Sequence, residues 1–338
     1  MNKVRIAVLG LGRLGYIHAK KLASNNDVQL ICVVDALEER AEKVARELNA
    51  AKWSIDPSDV FDDPDIDAVI IATPTGTHAE LIKSAARSGK HIFVEKPVTR
   101  TLEEADEVIR VIQEYRVYCM VGFMRRFDPA FADAKKRIES GEIGKPLLFK
   151  GITRDNPIGK YSISAPVEFI KHSGGIFLDL AIHDYDMARF LIGSEVTSVA
   201  AKGGVLLHPF IEEYQDADQA STYLQFASGA AGDIESSRNS PYGFDLRCEI
   251  IGTEGAIQIG AFRNHDLTIL TSKGNQDIIP IFPDRLLDFY ALEMAHFIKC
   301  LKNNERPSCT EIDGKAALEI AISATESFRT GREVKLKS

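Results

Sequence analysis

Apolar residues in the first third of the chain fall in short continuous runs. Val4–Leu9 is broken only by Arg5. Val28–Val34, Ile66–Ala72, His91–Val94 and Val117–Val121 follow. Runs of this length, bounded by turn residues, predict buried strands. Helical patterns lie between them: one to Leu22, then Leu37–Leu48, His78–Ser88 stopped by Gly89, and about Leu102 to Tyr115. Strands alternating with helices predict a doubly wound parallel sheet, an α/β fold.

The period changes after Gly122. A helix is predicted from Phe123 to about Glu139, closed by Gly141 and Gly144, then a strand over Pro146–Thr153. Asp155–Gly175 reads as a long loop, which in a compact domain is usually functional or disordered. Ile176–Ile192 reads as a strong helix ended by Gly193. Strand then follows strand from Val196 to about Ile281, among them Ser198–Gly203, Gln219–Ala227, Ala230–Arg238, Phe244–Gly252 and Ala256–Ile259. Strands without intervening helices predict a large, mostly antiparallel sheet. Asp284–Leu301 and Asp313–Phe328 are amphipathic and are expected to cover one face of it or return to the first domain. The expected organisation is a Rossmann domain over 1–122 and an α+β domain over 123–338. Such a sheet has an open face that must be polar or buried in a partner, which points to a homo-oligomer, a dimer or a tetramer.

Composition narrows the class. With 338 residues the chain is long enough for two domains. A net charge of −8 argues against nucleic acid or an anionic membrane as partner. Its five cysteines show no C-x-x-C spacing, and Cys32 and Cys119 lie in strand-like runs, as suits a reducing cytoplasm. Met1-Asn2-Lys3 enters a strand at once, so no leader is expected. No apolar run approaches the ~20 residues that span a bilayer.

Chemistry enters at the strand ends. The first strand runs into Gly10-Leu11-Gly12-Arg13-Leu14-Gly15, a G-x-G-x-x-G that opens a helix. Its glycines serve a tight turn, close approach to a pyrophosphate and helix–strand packing. Asp35 ends the second strand, twenty residues past Gly15, where an acid binds ribose hydroxyls. No cation follows until Arg40, so NAD is expected over NADP. Asp35 also suits a helix N-cap. Thr73, Pro74 and His78 sit at another strand's carboxyl end as further cofactor contacts, although His78 also reads as a solvated first-turn residue. His91–Val94 ends in Glu95-Lys96-Pro97, a polar pair too costly to bury without purpose. Lys96 is placed there facing the ligand crevice at the strand's carboxyl end, and a cis Lys96–Pro97 peptide is a hypothesis for the turn.

The Ile176–Ile192 helix carries Asp179, His183 and Asp186 at i, i+4 and i+7, one stripe, with Asp184 elsewhere on the wheel. One reading is a base, His183, oriented by Asp179; a solvated face with an incidental pair is the other. Two carboxylates and one imidazole without a second histidine make a poor metal site, so no metal is expected.

With these residues in this order, the chain resembles the glucose–fructose oxidoreductase / inositol dehydrogenase (Gfo/Idh/MocA) family over nearly its whole length. The resemblance rests on Gly10–Gly15, Ala72–His78 (A-T-P-T-G-T-H), Glu95–Pro97 and Asp179-x-x-x-His183. Val121–Asp128, Arg154–Pro157, Ser173–Asp179, Ile182–Leu191 and Tyr242–Glu249 look like inositol 2-dehydrogenases in particular. The resemblance implies that Lys96 holds the reacting hydroxyl and that His183, oriented by Asp179, takes its proton. It implies that Arg125, Asn156 and Tyr242 bind other ring hydroxyls, with Phe244 at a position where relatives carry an aromatic. The implied reaction is NAD-dependent oxidation of a cyclic polyol, myo-inositol to 2-keto-myo-inositol. Dehydrogenation of another inositol isomer or a hexose, or a dinucleotide-sensing regulator on the same fold, are the alternatives; intact Lys96, Asp179 and His183 speak against a sensor.

Overall fold

The structure, a computed structural model, describes residues 3–159, 166–260 and 282–336. In chain order the elements are β1 (Val4–Leu9), α1 (Arg13–Ala23), β2 (Val28–Val34), α2 (Glu38–Leu48), β3 (Lys52–Ser54), α3 (Ser58–Phe61), β4 (Ala68–Ile71), α4 (His78–Arg87), β5 (His91–Glu95), α5 (Leu102–Tyr115) and β6 (Cys119–Gly122). They continue as α6 (Pro129–Glu139), β7 (Pro146–Arg154), α7 (Val167–His172), α8 (Ile182–Ile192), β8 (Val196–Gly204), β9 (Gln219–Phe226), β10 (Ala231–Ser237), β11 (Asp245–Gly252), β12 (Ala256–Ile259), α9 (Phe282–Asn303), α10 (Glu311–Thr330) and β13 (Val334–Lys335). Two compact units form, one of Met1–Met124 with Asp288–Leu318, the other of Arg125–Leu287 with Glu319–Ser338.

The first unit holds a six-stranded sheet in the order β3-β2-β1-β4-β5-β6, with every pair parallel. All of β4 and nearly all of β1 and β5 are buried, as expected of a parallel sheet covered on both faces. That is why these strands read as nearly continuous apolar runs. The strand order turns back between β1 and β4, the switch point where strand carboxyl ends open a crevice. Edge strand β3 is short and largely exposed, so hydrophobic patterning alone does not reveal it. Within this unit Phe297 of α9 meets Phe93 of β5 edge-on at 6.0 Å. Gly314 of α10 lies so close to Val98 and Val121 that a Cβ there would approach Val121 to 2.9 Å.

The second unit holds a seven-stranded sheet in the order β12-β11-β7-β10-β9-β8-β13. All neighbours are antiparallel except β7 and β10, which run parallel because the chain lays down α7, α8, β8 and β9 before returning to β7's side. β9 alternates buried and exposed residues along its length, so one face of the sheet is covered. The cover includes α8, whose Tyr185 hydroxyl bonds Thr222 Oγ1 at 2.9 Å.

Several boundaries differ from expectation. The helix expected from Phe123 is a 3₁₀ turn at Met124–Phe127 followed by α6. Asp128 divides them: its carboxylate accepts from Ala130 N at 2.7 Å and Pro129 takes the first helical position. The helix expected over Ile176–Ile192 has a π-helical turn at Phe177–Ala181 before α8. The loop expected over Asp155–Gly175 contains α7, and its residues 160–165 lie outside the described residues, as do residues 261–281 of the strand-rich stretch. All five cysteines are buried and in no disulfide. Among the described residues no helix is long and apolar enough to cross a membrane.

Candidate active site

In the first unit the glycine turn has the shape its spacing implies. Gly10 has φ +85°, and a Cβ there would sit 2.7 Å from the Ala72 carbonyl oxygen. At Gly15 a Cβ would fall 1.8 Å from the Gly10 oxygen. Gly12 is different, since its Cβ direction meets nothing within 4 Å. Two glycines therefore close the turn, while the third leaves open space on the ligand side. Arg13 and Leu14 begin α1, and no side chain caps that helix, nor is its first turn acidic. Its leading N–H groups suit a pyrophosphate.

Asp35 stands 8% exposed at the end of β2. Its carboxylate accepts from Leu11 N in the glycine turn at 2.8 Å and from Leu37 N at 2.9 Å. The acid thus ties the turn to the start of α2, where Leu37 is the N-cap residue. One expectation needs correcting. Arg40, one helical turn away, brings Nη1 to 3.3 and 3.4 Å from the two Asp35 oxygens, so a cation does stand beside the acid expected to bind ribose.

Thr73 and Pro74 follow β4. His78 is not a solvated first-turn residue; it is 1% exposed. Its Nδ1 lies 2.9 Å from the Pro97 oxygen and its Nε2 3.0 Å from the Thr73 oxygen. Burial lowers its pKa, against the pull of the two carbonyls. The ring pins the Thr73 turn to the turn after Lys96, where the Lys96–Pro97 peptide is cis. Lys96 is partly buried. Glu95, just before it, is buried and bonds His18 Nε2 of α1 at 2.6 Å. Glu293 of α9 is fully buried in this unit with neither oxygen hydrogen-bonded, and burial together with the nearby Glu95 charge raises its pKa well above the usual carboxylate range.

In the second unit two consecutive arginines organise α8. Arg125 donates Nη1 to Asp184 Oδ1 at 2.8 Å and Nη2 to Thr153 Oγ1 at 3.0 Å, and Thr153 donates to Asp184 Oδ2 at 2.7 Å. Burial pushes the Asp184 carboxyl up, and Arg125 and Thr153 pull it back. Arg126 grips Asp186 with two bonds of 2.8 and 2.6 Å. Asp186, expected to share a stripe with Asp179 and His183, is therefore committed to an ion pair. A buried carboxylate requires such a partner, which the helical-wheel position by itself does not reveal.

His183 is buried at 7% exposure. Elsewhere in this unit His172 is exposed, and His208 accepts a bond from Ile158 N. Asp179 sits in the π-helical turn, a distortion often found at functional sites. Its Oδ2 accepts from Nη2 of Arg238 at 2.8 Å. Asn156 is buried just beyond β7, with its N–H on Asp155 Oδ1 at 2.8 Å. The Tyr242 hydroxyl accepts from Arg154 at 2.8 Å and donates to Asp245 at 3.0 Å, while Phe244 is buried.

Sequence reading missed His18, Arg126, Arg238 and Glu293. His18 and Glu293 carry a faint signal, as polar residues on otherwise apolar helix faces. Arg238 carries none, because its partner lies 59 residues away in sequence. Among the described residues no group of three or more His, Cys, Asp or Glu is arranged to hold a metal.

A parallel sheet with a glycine turn at its switch point and an acid after β2 defines an NAD-binding Rossmann oxidoreductase. The chain belongs to the GFO/IDH/MocA oxidoreductase family. Residues 4–123 match the model of that family's NAD-binding Rossmann fold, and residues 131–258 match a GFO/IDH/MocA C-terminal domain. It is 56% identical to scyllo-inositol 2-dehydrogenase (NAD(+)) of Bacillus subtilis, over 99% of this chain and 97% of that one. It is 38% identical to myo-inositol 2-dehydrogenase of Thermotoga maritima, over 99% of each. The crystal structure of Lactobacillus casei scyllo-inositol dehydrogenase with bound NAD(H) and scyllo-inositol superposes with a TM-score of 0.91 at 28% identity, covering 99% of each chain. The cofactor is NAD.

Proposed function

We propose that the protein oxidises one ring hydroxyl of an inositol to the ketone, with scyllo-inositol the preferred substrate. The sequence expectation was myo-inositol. The two isomers differ only in configuration at the reacting carbon and yield the same product, 2-keto-myo-inositol. The 56% identity to a scyllo-inositol dehydrogenase over nearly the full length favours the scyllo epimer.

The observation that carries the reading is the state of the α8 acids. Asp184 and Asp186 are paired with Arg125 and Arg126, and Asp179 in the preceding π-helical turn with Arg238, which leaves His183, buried at 7% exposure, as the group of this segment suited to accept a proton, with Asp179 as the acid four residues before it. Bound NAD supplies the hydride acceptor. Lys96 holds the alcohol oxygen and stabilises the negative charge that develops on it. His183 takes the hydroxyl proton, and Asp179 fixes the tautomer and favours the imidazolium that results. A ring of similar hydroxyls demands several convergent hydrogen bonds to select one carbon; Asn156, Tyr242 and Arg125 are the groups assigned to it. In this reading residues 1–122 hold NAD and residues 123–338 the polyol, in a cytoplasmic homo-oligomer.

The test is NAD reduction, followed by absorbance, with scyllo-inositol, myo-inositol, D-chiro-inositol and glucose side by side. Higher kcat/KM with scyllo-inositol than with myo-inositol is expected. The reverse order returns the substrate to myo-inositol. Turnover with glucose alone would move it to a hexose. No turnover with any polyol, despite NAD binding, would overturn the enzyme reading in favour of a sensor.

A further inference from the structure

Arg238 follows the last residue of β10 and is 1% exposed. A buried guanidinium is costly to desolvate, and an apolar side chain would fill the same volume without that cost. Its side chain reaches the Asp179 carboxylate, Nη2 to Oδ2 at 2.8 Å, and its backbone N–H donates to the Asp218 oxygen at 2.8 Å. The strand end therefore fixes the arginine, and the arginine fixes the acid.

The same helical segment is held at a second point. The Asp216 carboxylate receives Ile176 N–H at 3.0 and 3.1 Å. Gly175, at φ +95°, permits this approach, since a Cβ there would lie 2.8 Å from Asp216 Oδ1. The π-helical turn that carries Asp179 is thus clamped at Ile176 and at Asp179.

We propose that Arg238 is a positioning residue for the reaction: it holds the Asp179 carboxylate in place and offsets its charge, so that His183 rests as the neutral proton acceptor. The inference rests on the base assignment made above. Without Arg238 the full negative charge of Asp179 acts on His183 and stabilises the imidazolium, which cannot accept a proton.

Other charged groups on the elements around α8 have their own partners or face solvent. Asp184 and Asp186 on α8 are paired with Arg125 and Arg126. From α6, Lys135 lies over the Phe190 ring at 5.3 Å. On β7, Arg154 pairs with Glu235, and Lys150 is exposed. Asp216 is engaged by Ile176, and burial raises its pKa against the opposing charges of Arg238 and Arg329.

The experiment measures kcat/KM for scyllo-inositol against pH at saturating NAD in wild type, Arg238→Met, Arg238→Lys, Asp179→Asn and the Arg238→Met/Asp179→Asn pair, with melting temperature and NAD affinity as controls. Arg238→Met is expected to move the acid limb about one pH unit upward. Arg238→Lys should return most of that shift. In the Asp179→Asn background the methionine substitution should move the limb no further. Arg238→Gln replaces the methionine variant if that one does not fold. A loss of activity by the same factor at every pH would make Arg238 purely structural and overturn the proposal. His183→Ala separates the two layers. If its residual activity keeps the wild-type acid limb, the base assignment itself fails; if it loses the limb while Arg238→Met leaves the limb in place, only the role of Arg238 fails.

Discussion

Arg125 and Asp184, 59 residues apart, meet as a buried ion pair at 2.8 Å, each side chain no more than 3% exposed. Thr153 bonds both partners. Removing one member leaves an uncompensated buried charge, which costs about 3–5 kcal/mol. Arg125→Met and Asp184→Leu should each lower urea-unfolding stability by that order. Combining them should recover much of the loss, because the orphaned charge disappears. Additive losses in the double variant would show that the pair is not an isolated unit. The same set examines Arg125 as a substrate ligand: in that role, KM for inositol rises in Arg125→Met more than in Asp184→Leu.

Asp35 and Arg40 are predicted to set cofactor choice together. If the carboxylate takes the ribose hydroxyls, the Arg40 guanidinium beside it is a ready partner for a 2′-phosphate. Asp35→Ser should raise KM for NAD about 10- to 100-fold, the range of a lost hydrogen bond to a charged group. It should also make NADP a substrate. Adding Arg40→Ala should abolish the NADP gain and leave the NAD defect. An NADP rate indifferent to Arg40 would remove the guanidinium from this role.

His78 is expected to make the stability of the protein pH-dependent. Burial lowers its pKa from the ordinary 6.5. The unfolded chain then binds more protons than the folded one below that value. The stabilising contribution is complete above pH 6.5 and is lost as pH falls through the folded-state pKa. The melting temperature should fall between pH 7 and pH 5, and His78→Gln should flatten part of that slope. Only part is expected, because burial also lowers the pKa of His91 and His296. An undiminished slope in His78→Gln would show that the ring is not the titrating group.

Glu293 acts with the opposite sign. Burial first, and the Glu95 charge second, raise its pKa well above 4.5. The folded state therefore holds a proton that the unfolded chain releases, and stability declines as pH rises from 4.5 toward the folded-state pKa. Neither oxygen is hydrogen-bonded, so nothing compensates the burial. Glu293→Gln should stabilise the protein by about 1 kcal/mol or more at pH 8, and by less at pH 5. A gain independent of pH would mean that the carboxyl does not titrate with unfolding.

The sequence determined what depends on local pattern. Short apolar runs alternating with helical stripes are what a parallel sheet covered on both faces requires, and β1, β2, β4 and β5 fall where those runs lie. Gly10, Gly12 and Gly15 and the acid at Asp35 declare a dinucleotide turn because backbone conformation and spacing are local properties. Successive strands without intervening helices declared a largely antiparallel sheet. The tertiary structure decided how charge is balanced. Arg125 with Asp184, Arg126 with Asp186, Arg238 with Asp179 and His18 with Glu95 are pairs 59 to 77 residues apart. A helical wheel set Asp186 on the stripe of His183, but its pairing with Arg126, 60 residues away in sequence, is something no wheel shows. His78 read equally well as solvated, and only the meeting of two turns at its ring makes it a clamp. Hydrophobic periodicity is written into neighbouring residues; the partner of a buried charge is chosen by the fold.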